Sequence, residues 1–100
     1  MKESRIKKLL SLMKEQKLEQ IIVTSSPDLF YLTGKWFSTG ERMIALYLNI
    51  DGNHKFIVNK LFPIYEDLGV DIIWYSDKED PIKLLSTVVD KTKVLGVDKT

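Results

Sequence analysis

Residues 42–58, RMIALYLNIDGNHKFIV, contain two strand-like runs on either side of an Asp-Gly turn. The first run, Arg42 to Ile50, alternates between two faces, and both faces are apolar. The second run, His54 to Val58, is shorter and more polar, which is typical of an edge strand. Because Asp51-Gly52 between two such runs indicates a β-hairpin, we expect this part of the sheet to be antiparallel. The first strand is expected to be covered on both sides.

Two helices and a buried strand are predicted before the hairpin. Apolar residues at i, i+3, i+4 and i+7 predict a surface helix from Arg5 to Lys17, with Ser4 as a candidate N-cap. The run QIIVT, Gln20–Thr24, is apolar on consecutive positions, as in an interior strand that is covered on both faces. Ser26-Pro27-Asp28 then predicts a short helix with serine as its cap, and Gly34 is placed to end it in a left-handed conformation.

Helices and strands alternate after the hairpin. In order, the predicted elements are a helix from Asn59 to Leu68 ended by Gly69, a strand from Asp71 to Tyr75, a helix after Asp80-Pro81 reaching about Lys91, and a buried strand from Val94 to Asp98. Such alternation requires crossovers and a parallel portion of the sheet. The predicted fold is therefore α/β: a three-layer α/β/α sandwich on a mixed five-stranded sheet with one antiparallel strand. Residues 1–100 are expected to form a single domain.

The composition excludes several classes of protein. One hundred residues, 44% hydrophobic and 29% charged, are typical of one globular domain. Fifteen basic and fourteen acidic residues give a net charge of +1, too little to draw the chain to nucleic acid or to an anionic membrane. The absence of cysteine excludes disulfides, thiolate nucleophiles and zinc ribbons. Because no apolar stretch reaches the length of a secretory signal or a membrane span, we expect a cytoplasmic protein.

The sequence offers few residues for catalysis. His54 is the single histidine, and a metal site would need further histidine or carboxylate ligands, so we expect an ordinary surface imidazole. The carboxylates lie at predicted helix ends and in turns, where capping and solvation explain them. Neither a P-loop, nor GxGxxG, nor GxSxG occurs. We therefore predict no catalytic and no metal-binding residue in this chain.

The segment from Lys35 to Glu41 has no helical or strand period, but it contains Trp36 and Phe37, and Arg42 follows it. Exposed aromatic side chains near a guanidinium have the composition of a recognition patch, because aromatics supply contact area and arginine binds carboxylates through two hydrogen bonds. The alternative is that Trp36 and Phe37 fold back to cover the core. The residues alone leave both interpretations open.

The order of these motifs resembles a known family. Five features carry the resemblance: Arg5 with its leucine-rich helix, Gln20–Thr24, Ser26-x-x-x-Phe30-Tyr31-Leu32-Thr33-Gly34, Arg42 opening a hydrophobic strand, and the closing Val94-Leu95-Gly96-Val97-Asp98. Together they resemble the N-terminal domain of the creatinase/prolidase family of Xaa-Pro peptidases. Tyr-Leu-Thr-Gly is the most specific piece, and the likeness covers nearly the whole chain. The resemblance implies a ribonuclease-H-like mixed sheet with one antiparallel strand.

The resemblance also implies a function. In this family two divalent metal ions, manganese, cobalt or zinc, hydrolyse the peptide bond before proline in a separate C-terminal domain, whose ligands would lie beyond Thr100. This chain alone is then expected to be non-catalytic, and to contribute to substrate gating and dimerisation. The implied partners are its own C-terminal catalytic domain, a second copy of the full-length protein, and short proline-containing peptides.

The segment after Tyr-Leu-Thr-Gly is similar to the one that reaches the active site across the subunit interface in some relatives. The resemblance therefore implies substrate contacts for Trp36, Phe37 and Arg42, with Arg42 as the partner of a substrate carboxylate. A free-standing α/β module that binds a ligand or another protein is the alternative interpretation.

Overall fold

The computed structural model describes residues 1–37, 42–62 and 68–97. In chain order the elements are α1 (Glu3–Glu15), β1 (Gln20–Val23), α2 (Ser26–Thr33), β2 (Ala45–Asn49), β3 (Lys55–Asn59), β4 (Asp71–Tyr75), α3 (Pro81–Val88) and β5 (Leu95–Val97). The five strands form one sheet in the order β4-β3-β2-β1-β5. In this sheet β2 is antiparallel to both of its neighbours, whereas β4 pairs in parallel with β3 and β5 in parallel with β1. The predicted mixed sheet with one antiparallel strand is confirmed.

The hairpin joins β2 to β3 in the predicted place. Ala45 faces Ile57 and Tyr47 faces Lys55 across the two strands. The turn contains Gly52 at φ 91°, a left-handed conformation that glycine adopts without steric cost. The expectation that the second strand lies at an edge is wrong, because β3 lies between β2 and β4.

Helices cover both faces of the sheet, as predicted for a three-layer sandwich. On one face α1 and α2 pack on β1, β2 and β3 through a core that includes Ile6, Leu29, Leu32, Val23, Leu46, Leu48, Phe56 and Val58. On the other face α3 packs through Leu84, Leu85 and Val88 on Ile22, Ala45, Tyr47, Ile57 and Tyr75. Successive residues of β2 thus point to opposite cores, which explains why both of its faces are apolar.

One of the three predicted N-cap residues is confirmed and two are wrong. The cap of α2 is Ser25, whose Oγ accepts a 3.4 Å hydrogen bond from the Asp28 amide, so the assignment of the cap to Ser26 is wrong by one residue. The assignment of a cap to Ser4 is also wrong, because α1 begins at Glu3. Asp80 caps α3 by accepting from the Ile82 amide at 2.9 Å, as predicted.

Two predicted elements need correction. The strand expected to be buried at Val94–Asp98 is a short edge strand, β5, which pairs with β1 and leaves Val97 60% exposed. Asp98 lies outside the described residues. Asn59 is the last residue of β3 and residues 60–62 form a turn, so no helix begins at Asn59. Residues 63–67 of that predicted helix lie outside the described residues, and Leu68, its predicted end, is not helical. None of the helices described is both long and apolar enough to cross a membrane.

Candidate functional site

Trp36 and Phe37 lie side by side in sequence but in different environments. The Trp36 side chain is 57% exposed, and its ring lies 6.0 Å from that of Phe30. Phe37 is buried at 2% exposure and packs edge-on against Phe56, with ring centroids 5.4 Å apart. Of the two interpretations that the sequence left open, exposure holds for Trp36, whereas Phe37 covers the core.

The end of α2 determines these two orientations. The Thr33 hydroxyl donates to the Leu29 carbonyl at 2.7 Å and accepts from the Lys35 amide at 3.2 Å, so it holds the chain as it leaves the helix. Gly34 ends the helix at φ 81°, and its amide donates to the Phe30 carbonyl at 2.9 Å. The predicted left-handed end at Gly34 is confirmed. This turn places the next residues so that one aromatic side chain faces solvent and the other enters the core.

Arg42, just before β2, forms a two-point ion pair with Asp77. Its Nε donates to Asp77 Oδ1 at 3.0 Å, and its Nη2 donates to Oδ2 at 3.1 Å. Asn59 Nδ2 donates to the same Oδ1 at 2.8 Å, and Asn59 itself is fully buried. The three side chains form one cluster, which we call the Arg42 cluster.

Sequence reasoning found Arg42 but missed Asn59 and Asp77. Asn59 is the last residue of β3, and Asp77 follows β4 by two residues. Because β3 and β4 are parallel neighbours, their carboxyl ends lie next to each other at the same end of the sheet. The sequence does place a polar residue, Asn59 or Asp77, at the end of each strand-like run. This pattern predicts a contact between the two side chains only when the two strands are known to be neighbours.

Hydrogen bonding determines the charge state of this cluster. Hydrogen bonds from Arg42, and then from Asn59, hold the pKa of Asp77 below its ordinary value, so this carboxylate is ionised at neutral pH. Burial raises the pKa of the nearby Tyr75 phenol, whose hydroxyl donates to the Met43 carbonyl at 2.6 Å. Two contacts therefore attach the segment before β2 to the end of β4: the ion pair of Arg42 with Asp77, and the hydrogen bond from the Tyr75 hydroxyl to the Met43 backbone.

The described residues do not supply a metal centre. Within residues 1–37, 42–62 and 68–97, no group of three or more His, Cys, Asp or Glu side chains is placed to hold a metal ion. The single histidine, His54, is half-buried, and its Nδ1 accepts a 3.2 Å hydrogen bond from the Asn49 amide. A metal centre built from such side chains therefore does not fit the described residues.

A cavity of about 280 Å³ lies between α1 and α2, away from the residues of the Arg42 cluster. Its walls are mostly apolar, and its lining residues include Leu9, Leu12 and Val23 together with Arg5 and Tyr31. The Arg5 guanidinium lies 4.6 Å from the centroid of the Tyr31 ring, a cation–π contact. None of the residues that line this cavity is Trp36, Phe37 or Arg42.

Comparison with known proteins identifies a family model and several solved structures that are similar to this chain. The sequence profile described as Creatinase/Prolidase N-terminal domain matches residues 5–100. No curated protein matches the sequence. Among solved structures, the N-terminal domain of an X-Pro dipeptidase from Streptococcus pyogenes is 18% identical with a TM-score of 0.77, over 95% of this chain and 76% of that chain.

Two other solved structures give the same picture. A proline dipeptidase from Streptococcus pneumoniae is 18% identical with a TM-score of 0.76, over 93% of this chain and 72% of that chain. A prolidase from Thermococcus sibiricus is 26% identical with a TM-score of 0.79, over 96% of this chain. This chain spans 28% of the Thermococcus prolidase, most of which therefore has no counterpart here.

Proposed function

The chain belongs to the Creatinase/Prolidase N-terminal domain family, and on that premise we propose that it is the non-catalytic N-terminal domain of a cytoplasmic Xaa-Pro dipeptidase or aminopeptidase. The observation that carries the proposal is the family match over residues 5–100. A C-terminal domain of the same protein would hold two divalent metal ions, manganese, cobalt or zinc. Those ions would activate water for hydrolysis of the peptide bond before proline.

Within such an enzyme the domain would act in substrate gating and in formation of a homodimer. We place Trp36, Phe37 and Arg42 at the substrate-binding site of the neighbouring subunit, where short proline-containing peptides bind. Support comes from the exposure of Trp36 and from the pairing of Arg42 with a carboxylate through two hydrogen bonds. Phe37 would support this site from the core, where its ring packs edge-on against Phe56.

The first test asks where the catalysis resides. We expect the gene to continue past Thr100 into a segment with ordered Asp, Asp, His, Glu and Glu ligands. The full-length protein, assayed with Mn²⁺ and an Xaa-Pro dipeptide, is expected to release free proline, whereas purified residues 1–100 are expected to release none. A stop codon after Thr100, or cleavage of the dipeptide by residues 1–100 alone, would contradict the proposal.

The second test concerns Arg42. In the full-length enzyme Arg42→Ala is expected to raise KM for an Xaa-Pro dipeptide by about tenfold, since a charge-assisted hydrogen bond is worth about 1.5–3 kcal/mol and 1.4 kcal/mol is a factor of ten. KM for a longer Xaa-Pro peptide is expected to change less, because its carboxylate lies farther from the proline. Steady-state kinetics on both substrates measure the ratio of the dipeptide KM to the KM of the longer peptide. If Arg42→Ala leaves this ratio unchanged, Arg42 does not bind the substrate carboxylate.

A further inference from the structure

The sheet face that packs on α3 is only partly covered. Neighbouring strands lie about 4.8 Å apart, so the five strands span about 20 Å, whereas a helix is about 10 Å wide. On the opposite face α1 and α2 both pack on the sheet, and each has buried side chains. On this face α3 is the single helix among the described residues, and none of its eight residues is buried.

The uncovered part of this face lies over β5. In the parallel pair of β1 and β5, Val97 is level with Ile22, whose side chain belongs to the core on the α3 side. Leu95 points the same way as Val97, because side chains alternate along a strand. Yet Val97 is 60% exposed and Leu95 is 38% exposed. Within the described part of the chain, the α3 side of β5 is therefore an apolar surface without a cover.

We propose that a later segment of the same chain covers this surface: after Thr100 a helix packs on Leu95 and Val97 beside α3, and a strand then pairs in parallel with the outer edge of β5. Among the described strands, β5 pairs with β1 alone. Parallel neighbours need a crossover of about a dozen residues or more, usually a helix. One helix and one strand thus complete both the face and the edge.

The direction of the chain across the sheet places the new helix on the α3 side. Because β2 is antiparallel to both of its neighbours, the other four strands all run in one direction. The chain crosses from β4 at one edge to β5 at the other through α3, on this face. A parallel strand outside β5 would continue the same movement. Since about 98% of such crossovers are right-handed, the next helix is expected on the same face as α3.

The length of a solved relative supports a cover from the same chain. The Streptococcus pyogenes N-terminal domain aligns with 95% of this chain, but this chain accounts for 76% of that domain. The remaining quarter is about 30 residues, more than a mean helix of about 11 and a mean strand of about 5 require together. A second copy would also lose translational and rotational freedom on docking, which a segment of the same chain does not.

Thiol labelling of the full-length protein tests whether the surface is covered. Residues 1–100 contain no cysteine, so an introduced thiol can be followed by peptide mass spectrometry. The thiol of Val97→Cys is expected to react with a maleimide at least about tenfold more slowly than that of Ser86→Cys, because a covered thiol reacts only after local opening. Ser86 is the matched control, because it is exposed on α3. Equal rates would show that the surface is open and would overturn the proposal.

Photo-cross-linking identifies what covers the surface. A diazirine amino acid at position 97 of the full-length protein is expected to link to a residue about 10–20 positions after Thr100, within one helix and its connection. Isotopically labelled and unlabelled protein are refolded together, so that a link between two copies has a mixed mass. A link to a second copy, or to a residue much farther along the chain, would show that the occupant is wrong.

Hydrogen exchange tests the added strand. Alternate residues of β5 direct their backbone groups away from β1, toward the outer edge. In the full-length protein all amides of residues 95–97 are expected to be protected, whereas fast exchange of those at the outer edge would show that no strand pairs there. Peptidase activity enters none of these three measurements, so the cover can fail while the proposed function holds, and the reverse.

Discussion

Residues 31–34, Tyr-Leu-Thr-Gly, each have a structural role at the end of α2. Leu32 is buried in the core, and Thr33 is buried with its hydroxyl bonded to the helix backbone. The Tyr31 carbonyl accepts a 2.8 Å hydrogen bond from Arg5, which ties α1 to α2. Gly34 turns the chain toward Trp36 and Phe37. The segment that carries the family resemblance thus fixes the direction in which the candidate site begins.

Gly34→Ala is expected to destabilise the chain by about 1–2 kcal/mol, the cost of a left-handed conformation for a residue with a Cβ. Gly34 adopts φ 81°, and an added Cβ would lie 2.7 Å from Cε of Lys2. Gly52→Ala is the matched control, because Gly52 adopts φ 91° with nothing within 4 Å of its added Cβ. Urea unfolding should show losses for both variants and a somewhat larger one for Gly34→Ala. No loss for Gly34→Ala would show that the helix end relaxes.

At the scale of the elements, local signals predicted the hairpin and two helix boundaries. Asp51-Gly52, Gly34 and Asp80-Pro81 act through backbone conformations and hydrogen bonds to residues close by in sequence, so their effects can be predicted from short stretches. Strand position in the sheet is different, because it depends on which distant strands pair. His54 and Lys55 made the second strand look like an edge, yet they lie before and at the start of β3, and its next residues, Phe56 to Val58, are fully buried.

The same distinction explains the candidate site. Arg42 and the aromatic pair could be found because they are neighbours in sequence. Asp77 is 35 residues from Arg42 and 18 from Asn59, and the three side chains meet only because β3 and β4 are parallel neighbours. The burial of Phe37 could not be predicted either, since it depends on the turn at the end of α2 and on the positions of Phe56 and Phe62.

At the scale of the whole molecule, buried polar groups connect the layers of the sandwich. Gln20 in β1 is fully buried, and its Oε1 accepts a 2.6 Å hydrogen bond from the Tyr47 hydroxyl. Its Nε2 donates to the Asp90 carbonyl at 2.6 Å, in the connection between α3 and β5. In the described residues no buried side-chain nitrogen or oxygen lacks a hydrogen-bond partner. These bonds stabilise the connection by satisfying groups whose burial would otherwise be unfavourable.

Stability of the whole chain is expected to fall in two steps as the pH is lowered. Burial is the main reason that the pKa of His54 lies below its ordinary value of 6.5, although the charge of Asp51 opposes the shift. Below pH 6.5 the unfolded chain therefore binds a proton on His54 before the folded chain does, and the free energy of unfolding falls until the folded pKa is passed. Asp71 and Asp77 have pKa values held below 3.8 by hydrogen bonds from Lys55 and Arg42. Their contribution is present above pH 3.8 and is lost as pH falls further.

Urea unfolding of the chain at pH 7.5, 5.5 and 3.5 separates these steps. The wild type is expected to have a lower midpoint at pH 5.5 than at 7.5, because His54 can accept from the Asn49 amide through Nδ1 only while that nitrogen is unprotonated. In His54→Asn the amide oxygen can take the place of Nδ1 and does not titrate, so the loss between pH 7.5 and 5.5 should disappear while the loss toward pH 3.5 remains. Equal losses in both proteins between pH 7.5 and 5.5 would show that another group titrates in this range.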